Sequence, residues 1–106
     1  MSNHIYRVDN FIVPDDAREE FLSKVTMTHD LLKTLPGFVR DAILDKTAGD
    51  GEFNLVTIVE WESDDAIQNA RDAVQALHRE MNFNPQELMS RLNIKMDRGN
   101  YTPVSA

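Results

Sequence analysis

The sequence predicts an α+β domain in which a four-stranded antiparallel sheet carries its helices on one face. Two observations predict it: strand-like and helix-like runs alternate along the chain, and one run, Phe53 to Trp61, is apolar on both of its faces. In that run Phe53, Leu55, Thr57, Val59 and Trp61 share one side of a strand, and Asn54, Val56, Ile58, Glu60 and Glu62 share the other. A strand with one wet face alternates cleanly, so this one is predicted to be central and covered twice. At 106 residues the chain is read as one domain, residues 1–106 with a core of about 4–102, large enough to bury roughly 65% of its unfolded surface.

His4 to Val13 has the residue types of a first strand, with Tyr6, Val8, Asn10 and Ile12 on one face and Ile5, Arg7, Asp9, Phe11 and Val13 on the other. Pro14 ends it, and Asp16 with Glu19 three residues later predicts a capping-box start for a helix. Ala17, Phe21, Val25, Thr28, Leu32 and Leu35 then recur at helical spacing until Pro36-Gly37. A second strand, Phe38 to Asp45, is predicted to carry Phe38, Arg40, Ala42 and Leu44 on one face, and the turn Ala48 to Gly51 folds it back onto the central strand as a hairpin. Ser63 is the expected N-cap of a second helix whose stripe is Ala66, Ala70, Ala73, Val74, Leu77 and Met81. A break near Phe83 precedes Asn84-Pro85-Gln86-Glu87, an N-cap with Pro behind it, so a short third helix follows. Asn93 to Tyr101 completes the sheet, with Ile94, Met96 and Tyr101 as packing residues, and Thr102 to Ala106 is expected to be loose. The order β-α-β-β-α-β, with the short helix before the last strand, is the ferredoxin-like split βαβ pattern. Helices on one side leave the other side of the central strand as an apolar patch too large for a monomer, which a face-to-face homodimer would bury.

Composition closes off several function classes. Eleven basic against 18 acidic residues give a net charge of −7, and no basic cluster offsets it, so neither nucleic acid nor an anionic membrane is an expected partner. The absence of cysteine excludes disulfides and thiolate chemistry. With no signal-peptide pattern and no run of apolar residues long enough to span a bilayer, a cytoplasmic home is expected. Metal-ligand spacing, a nucleophile elbow, a phosphate loop and a dinucleotide glycine pattern are all missing, so hydrolase, nucleotide and metal readings have no support.

Leu35-Pro36-Gly37-Phe38 opening the second strand, Val59-Glu60-Trp61-Glu62-Ser63 running into Asp65-Ala66, and His78 late in the second helix together resemble the antibiotic biosynthesis monooxygenase (ABM) family of the dimeric α+β barrel superfamily. The resemblance covers nearly the whole chain as a single ABM-like domain and implies fold and homodimer more firmly than reaction. Its members include cofactor-independent quinol or polyketide oxygenases and haem-degrading enzymes. The haem-degrading branch uses a strand-one Asn, a helix-two Trp and a His further along that helix. Asn10 and His78 are in matching places here, whereas the Trp position falls near Ala70.

The resemblance therefore implies a cofactor-independent monooxygenase acting with O2 on a small aromatic, quinol or polyketide-like substrate. The alternative is a non-enzymatic small-molecule binder, haem included, on the same scaffold. Such oxygenation needs a base, an oriented donor and a pocket that excludes water. His78 is the candidate base, its ordinary pKa being near neutrality, with a structurally satisfied imidazole as the competing role. Asn10, disfavoured in a strand, is the candidate donor to an oxyanion or O2. Trp61, Phe21 and Met81 are candidate pocket walls. Tyr6 shares the strand parity of Asn10, and Arg40 is placed either at an anionic substrate or in a pair with Glu60.

Overall fold

The computed structural model describes residues 3–105. Four strands, β1 (Ile5–Ile12), β2 (Phe38–Asp45), β3 (Leu55–Trp61) and β4 (Lys95–Tyr101), alternate with α1 (Arg18–Leu32), α2 (Asp64–Glu80) and α3 (Pro85–Arg91). The strands form one sheet in the order β2-β3-β1-β4, and every neighbouring pair is antiparallel. This is the ferredoxin-like arrangement, with β3 and β1 in the centre. Among the described residues no helix is long and apolar enough to cross a membrane.

Strand parity decides which residues meet the helices. Leu55, Thr57, Val59 and Trp61 of β3 are all buried on the helix side. Val56 and Ile58, on the open side, are only partly covered. The register Asp9↔Thr57 and Phe11↔Leu55 carries the same division into β1: odd-numbered residues face the helices, and Tyr6, Val8, Asn10 and Ile12 face away. Two apolar clusters result. One gathers Phe11, Val13, Phe21, Leu55, Leu88 and Ile94, with the Phe11 and Phe21 rings edge to face at 4.9 Å. The other gathers Leu32, Val59, Trp61, Ile67 and Ala70.

Several local expectations are met by the geometry. Ser63 accepts from the Ala66 backbone N–H. The Asn84 side chain accepts from Gln86 and Glu87, with Pro85 as the first residue of α3. Gly49 and Gly51 both take positive φ in the β2–β3 connection. Elsewhere the structure departs from the sequence reading. The capping box at Asp16 does not form: a 3₁₀ turn, Asp15–Ala17, comes first, and Ala17 caps α1 without a side-chain bond. Ala17 is buried in the first cluster, and holding it there tightens the turn. Strand β3 starts at Leu55, leaving Phe53 42% exposed outside it. Tyr101 is 52% exposed on the open side of β4 rather than packed. Phe38 does not share a face with Arg40, Ala42 and Leu44, because a bulge sets two steps of β2, Phe38 to Arg40, against the single step from Trp61 to Glu60. Phe38 therefore turns inward onto Trp61, ring centroids 5.9 Å apart.

Asn54 ties the end of β1 to the hairpin. Its Oδ1 accepts from the Val13 N–H at 2.9 Å and its Nδ2 donates to the Val13 carbonyl at 2.8 Å. Asn54→Ala removes both partners from a buried backbone unit, and the expected cost is about 2 kcal/mol, read as a lower urea midpoint at unchanged slope. A change below about 0.5 kcal/mol would mean that water replaces both bonds.

Candidate active site

The helix side of the sheet is not uniformly apolar. Between the two clusters lies a polar band: Thr57 interrupts the buried face of β3, Asp9 stands opposite it on β1, and Arg98 stands opposite Asp9 on β4. Arg98 Nε donates to Asp9 Oδ1 at 3.3 Å, and Arg7 lies 3.6 Å from the same carboxylate oxygen. A polar row on a sheet face resists closure by apolar side-chain packing alone. Here it floors a cavity of about 180 Å³ roofed by α1, α2 and α3. Phe11, Phe21, Val25, Val74, Leu88 and Met89 are among its apolar walls.

Two imidazoles reach this cavity from different helices. His78, near the C-terminus of α2, stacks edge to face on Phe83 at 5.1 Å. Its Nε2 is the one side-chain nitrogen or oxygen, among the described residues, that is buried without a hydrogen-bond partner. Burial disfavours the cation and lowers the His78 pKa from its ordinary value of 6.5, so the ring is neutral near pH 7 and its free ring nitrogen can accept a proton. His29, in the last turn of α1, is 6% exposed. Its Nδ1–H donates to Asp41 Oδ2 of β2 at 2.8 Å, which leaves Nε2 as the ring nitrogen available to a ligand. Among the described residues no three His, Cys, Asp or Glu side chains are grouped to hold a metal ion.

The predicted site residues divide by parity. His78 and Phe21 line the cavity. Asn10 does not: it lies on the open face of the sheet, beside Leu44, Phe53 and Val56. Side chains alternate along a strand, so the β1 residue that looks into the cavity is Asp9, one position earlier. Tyr6 and Arg40 are on the open face as well. Arg40 Nε donates to Glu60 Oε1 at 2.6 Å, and His4 Nδ1 donates to Glu60 Oε2 at 2.6 Å. The His4 bond first, and Arg40 with it, hold the Glu60 carboxyl below its ordinary range against the opposing effect of burial. Trp61 is 3% exposed and belongs to the second cluster, away from the cavity walls. Met81 caps the end of α2, 38% exposed, because the stripe it was predicted to extend ends with the helix. Sequence reasoning passed over Asp9, His29, Asp41 and Thr57. The available signals were a threonine within an otherwise apolar buried face, and a histidine spaced four from Val25 and three from Leu32.

The comparisons with known proteins place this geometry in a class and then in a family. The fold is shared with solved structures at low sequence identity. SnoaB, a cofactor-independent oxygenase from Streptomyces nogalater, superposes with a TM-score of 0.67 at 22% identity, covering 99% of this chain and 97% of that one. A candidate monooxygenase from Shewanella loihica PV-4 gives a TM-score of 0.73 at 15% identity, with 100% and 99% covered. A variant of MhuD, crystallised with two manganese protoporphyrin IX molecules per active site, gives 0.69 at 20%, with 96% of each chain covered. At these identities the likeness is one of fold. The family profile described as antibiotic biosynthesis monooxygenase matches residues 5–80, and the chain belongs to that family. A search of curated proteins returns no match.

Proposed function

We propose that the chain is a cofactor-independent oxygenase in which the cavity between helices and sheet holds a small aromatic, quinol-like substrate and His78 takes its proton. The observation that carries this reading is the buried, unpartnered Nε2 of His78, a residue that lines that cavity. A buried polar atom without a partner costs stability, and a phenol or enol hydroxyl would satisfy it. Proton transfer to Nε2 gives an electron-rich anion, and the apolar walls keep water from competing with O2 for it. Thr57 and the cluster of Asp9 with Arg98 supply polar contacts on the sheet side. At about 180 Å³ the cavity is smaller than the ~300–1,000 Å³ usual for drug-sized ligands, which favours a single- or fused-ring phenol over a tetrapyrrole.

The test is oxygen consumption with a panel of hydroquinones and polyphenols, run beside a haem titration followed in the Soret region. Uptake with at least one phenol and no Soret shift is the expected result. No uptake together with a Soret shift would overturn the oxygenase reading in favour of a haem-binding protein, the alternative that the MhuD likeness of fold motivates.

The open face of the sheet is proposed to meet a second copy of the chain. Val8, Val56 and Ile58 sit there only partly covered, and Leu44 is 46% exposed beside them. Ile58→Asp should convert a dimer into a monomer in sedimentation velocity at micromolar concentration. A wild-type chain that already sediments as a monomer would overturn the assignment.

A further inference from the structure

We propose that the aromatic ring taken up by the cavity carries a carboxylate, which the guanidinium of Arg98 receives at the mouth while a ring hydroxyl meets His78 at the buried end. The inference rests on the oxygenase reading above and names its substrate class, a hydroxylated aromatic acid. The first ground is the balance of charge. The charged side chains that line the cavity are Asp9, Lys24 and Arg98, and Asp9 is already shared: Arg98 Nε at 3.3 Å and Arg7 Nε at 3.6 Å approach the same oxygen, Oδ1. One carboxylate does not neutralise two guanidiniums. Burial first, and then the neighbouring charges of Arg98 and Arg71 against the opposing pull of Asp9, hold the Arg7 pKa below its usual value, as expected where cations crowd. Lys24 adds a further positive charge from α1. Its Nζ lies 5.2 Å from the centroid of the Phe83 ring on which His78 stacks, and none of the ion pairs among the described residues includes it. Glu20, one turn earlier on α1, is taken by Arg91. The nearest carboxylate behind the cavity wall, Asp41, accepts from His29. A chain with a net charge of −7 thus turns cations toward this one cleft, where a surplus of one sign draws in a ligand of the other.

The second ground is what Arg98 has left to offer. Its Nε is fixed by Asp9, which aims the guanidinium, whereas its terminal Nη2 donates only to the thioether of Met96 at 3.5 Å. Both residues line the cavity. A thioether is a weak acceptor, and a carboxylate accepts from the guanidinium fork far better. The Arg98 side chain is 48% exposed, so a carboxylate there keeps part of its hydration and the pair carries little of the cost of a buried one. His78 Nε2, by contrast, is fully buried. The two ends of the ligand site therefore differ in kind, a wet cationic mouth and a dry basic end, with apolar walls between them. A ring with an acid at one end and a hydroxyl at the other satisfies both.

Titration calorimetry under argon, where nothing turns over, tests the pairing with 2,5-dihydroxybenzoate and 3,4-dihydroxybenzoate, each against its own methyl ester. The ester keeps the ring and hydroxyls and loses only the charge. The wild type should bind at least one acid ~10- to 100-fold more tightly than its ester, the range for a hydrogen bond to a charged group. In Arg98→Gln that ratio should fall toward one, Arg98→Lys should retain part of it, and Lys24→Gln should lower it by a smaller factor. A role confined to holding Asp9 in place would weaken acid and ester alike and leave the ratio unchanged, which would overturn the inference. So would a wild type that binds acid and ester equally. Oxygen uptake with the same four compounds separates this from the oxygenase reading. Equal binding with uptake from both acid and ester sinks the carboxylate site and keeps the oxygenase; an Arg98-dependent preference for the acid with no uptake from any of the four keeps the carboxylate site and sinks the oxygenase. If none of the four binds, both fail.

Discussion

His78→Gln is expected to lower kcat/KM for phenol-dependent oxygen uptake by ~10²- to 10⁴-fold, the range for loss of a positioned base. Substrate affinity should change far less, because the walls contributed by Phe11, Phe21 and Leu88 are untouched. The pH dependence gives a second reading of the same residue. Burial lowers the His78 pKa below its ordinary 6.5, so the ring stays unprotonated, and the acid limb of kcat/KM should lie below pH 6.5. The sign of the stability effect follows from the same shift. Below pH 6.5 the unfolded chain binds a proton at this residue more readily than the native one, so the native state loses stability as pH falls from 6.5 through the lowered native value. The loss is absent above 6.5. His78→Gln should remove this component of the acid sensitivity, measured as the difference between wild-type and variant urea midpoints across that window. Equal oxygen uptake by variant and wild type would assign the base elsewhere.

Gly37→Ala should be the most destabilising conservative change in the chain, by about 2–5 kcal/mol. Gly37 sits at φ +84°, where an L side chain is strained, and an added methyl would overlap the methyl of Ala66 in the first turn of α2. Its carbonyl also accepts from the Glu62 N–H at 2.9 Å, fixing the point at which β3 hands over to α2. Neither the β2 entry nor α2 can move away cheaply, since Phe38 is packed on Trp61 and Ile67 is buried in the same cluster. Chemical denaturation measures the effect. A loss under about 1 kcal/mol would mean that the helix start is softer than close packing implies.

The fold was legible because its signals are local and repeated. Pro36-Gly37, Ser63 and Asn84-Pro85 punctuate the helices, and the two-sided apolar run of β3 announced a central strand. The site was less legible because it depends on phase. A strand's parity is plain in the sequence, but which parity meets the helices is a tertiary fact, set here by Leu55 clustering with Phe21 and Leu88, and Val59 and Trp61 with Leu32 and Ile67. Reading the even-numbered side of β1 selects Asn10 and Tyr6, whereas the side that lines the cavity presents Asp9. His29 and Asp41 were harder still, being 12 residues apart in the chain and joined only when α1 lies across β2. The Arg40 pair with Glu60 was visible as a possibility from the sequence, and the register makes it a contact.

The bulge between Phe38 and Arg40 does more than redirect one ring. In a regular strand an even and an odd position such as 38 and 41 point to opposite sides. The extra step shifts the frame, so Phe38 can clamp Trp61 and Asp41 can still reach His29 from the same side. A β2 of the same length without the bulge would act as a frameshift in space: with Arg40 to Asp45 held in register, Val39 would take the place opposite Trp61 and Phe38 would swing out to solvent. The bulge therefore lets one strand hold both the domain's aromatic anchor and the imidazole's carboxylate on the same side, which a regular strand of this length could not do.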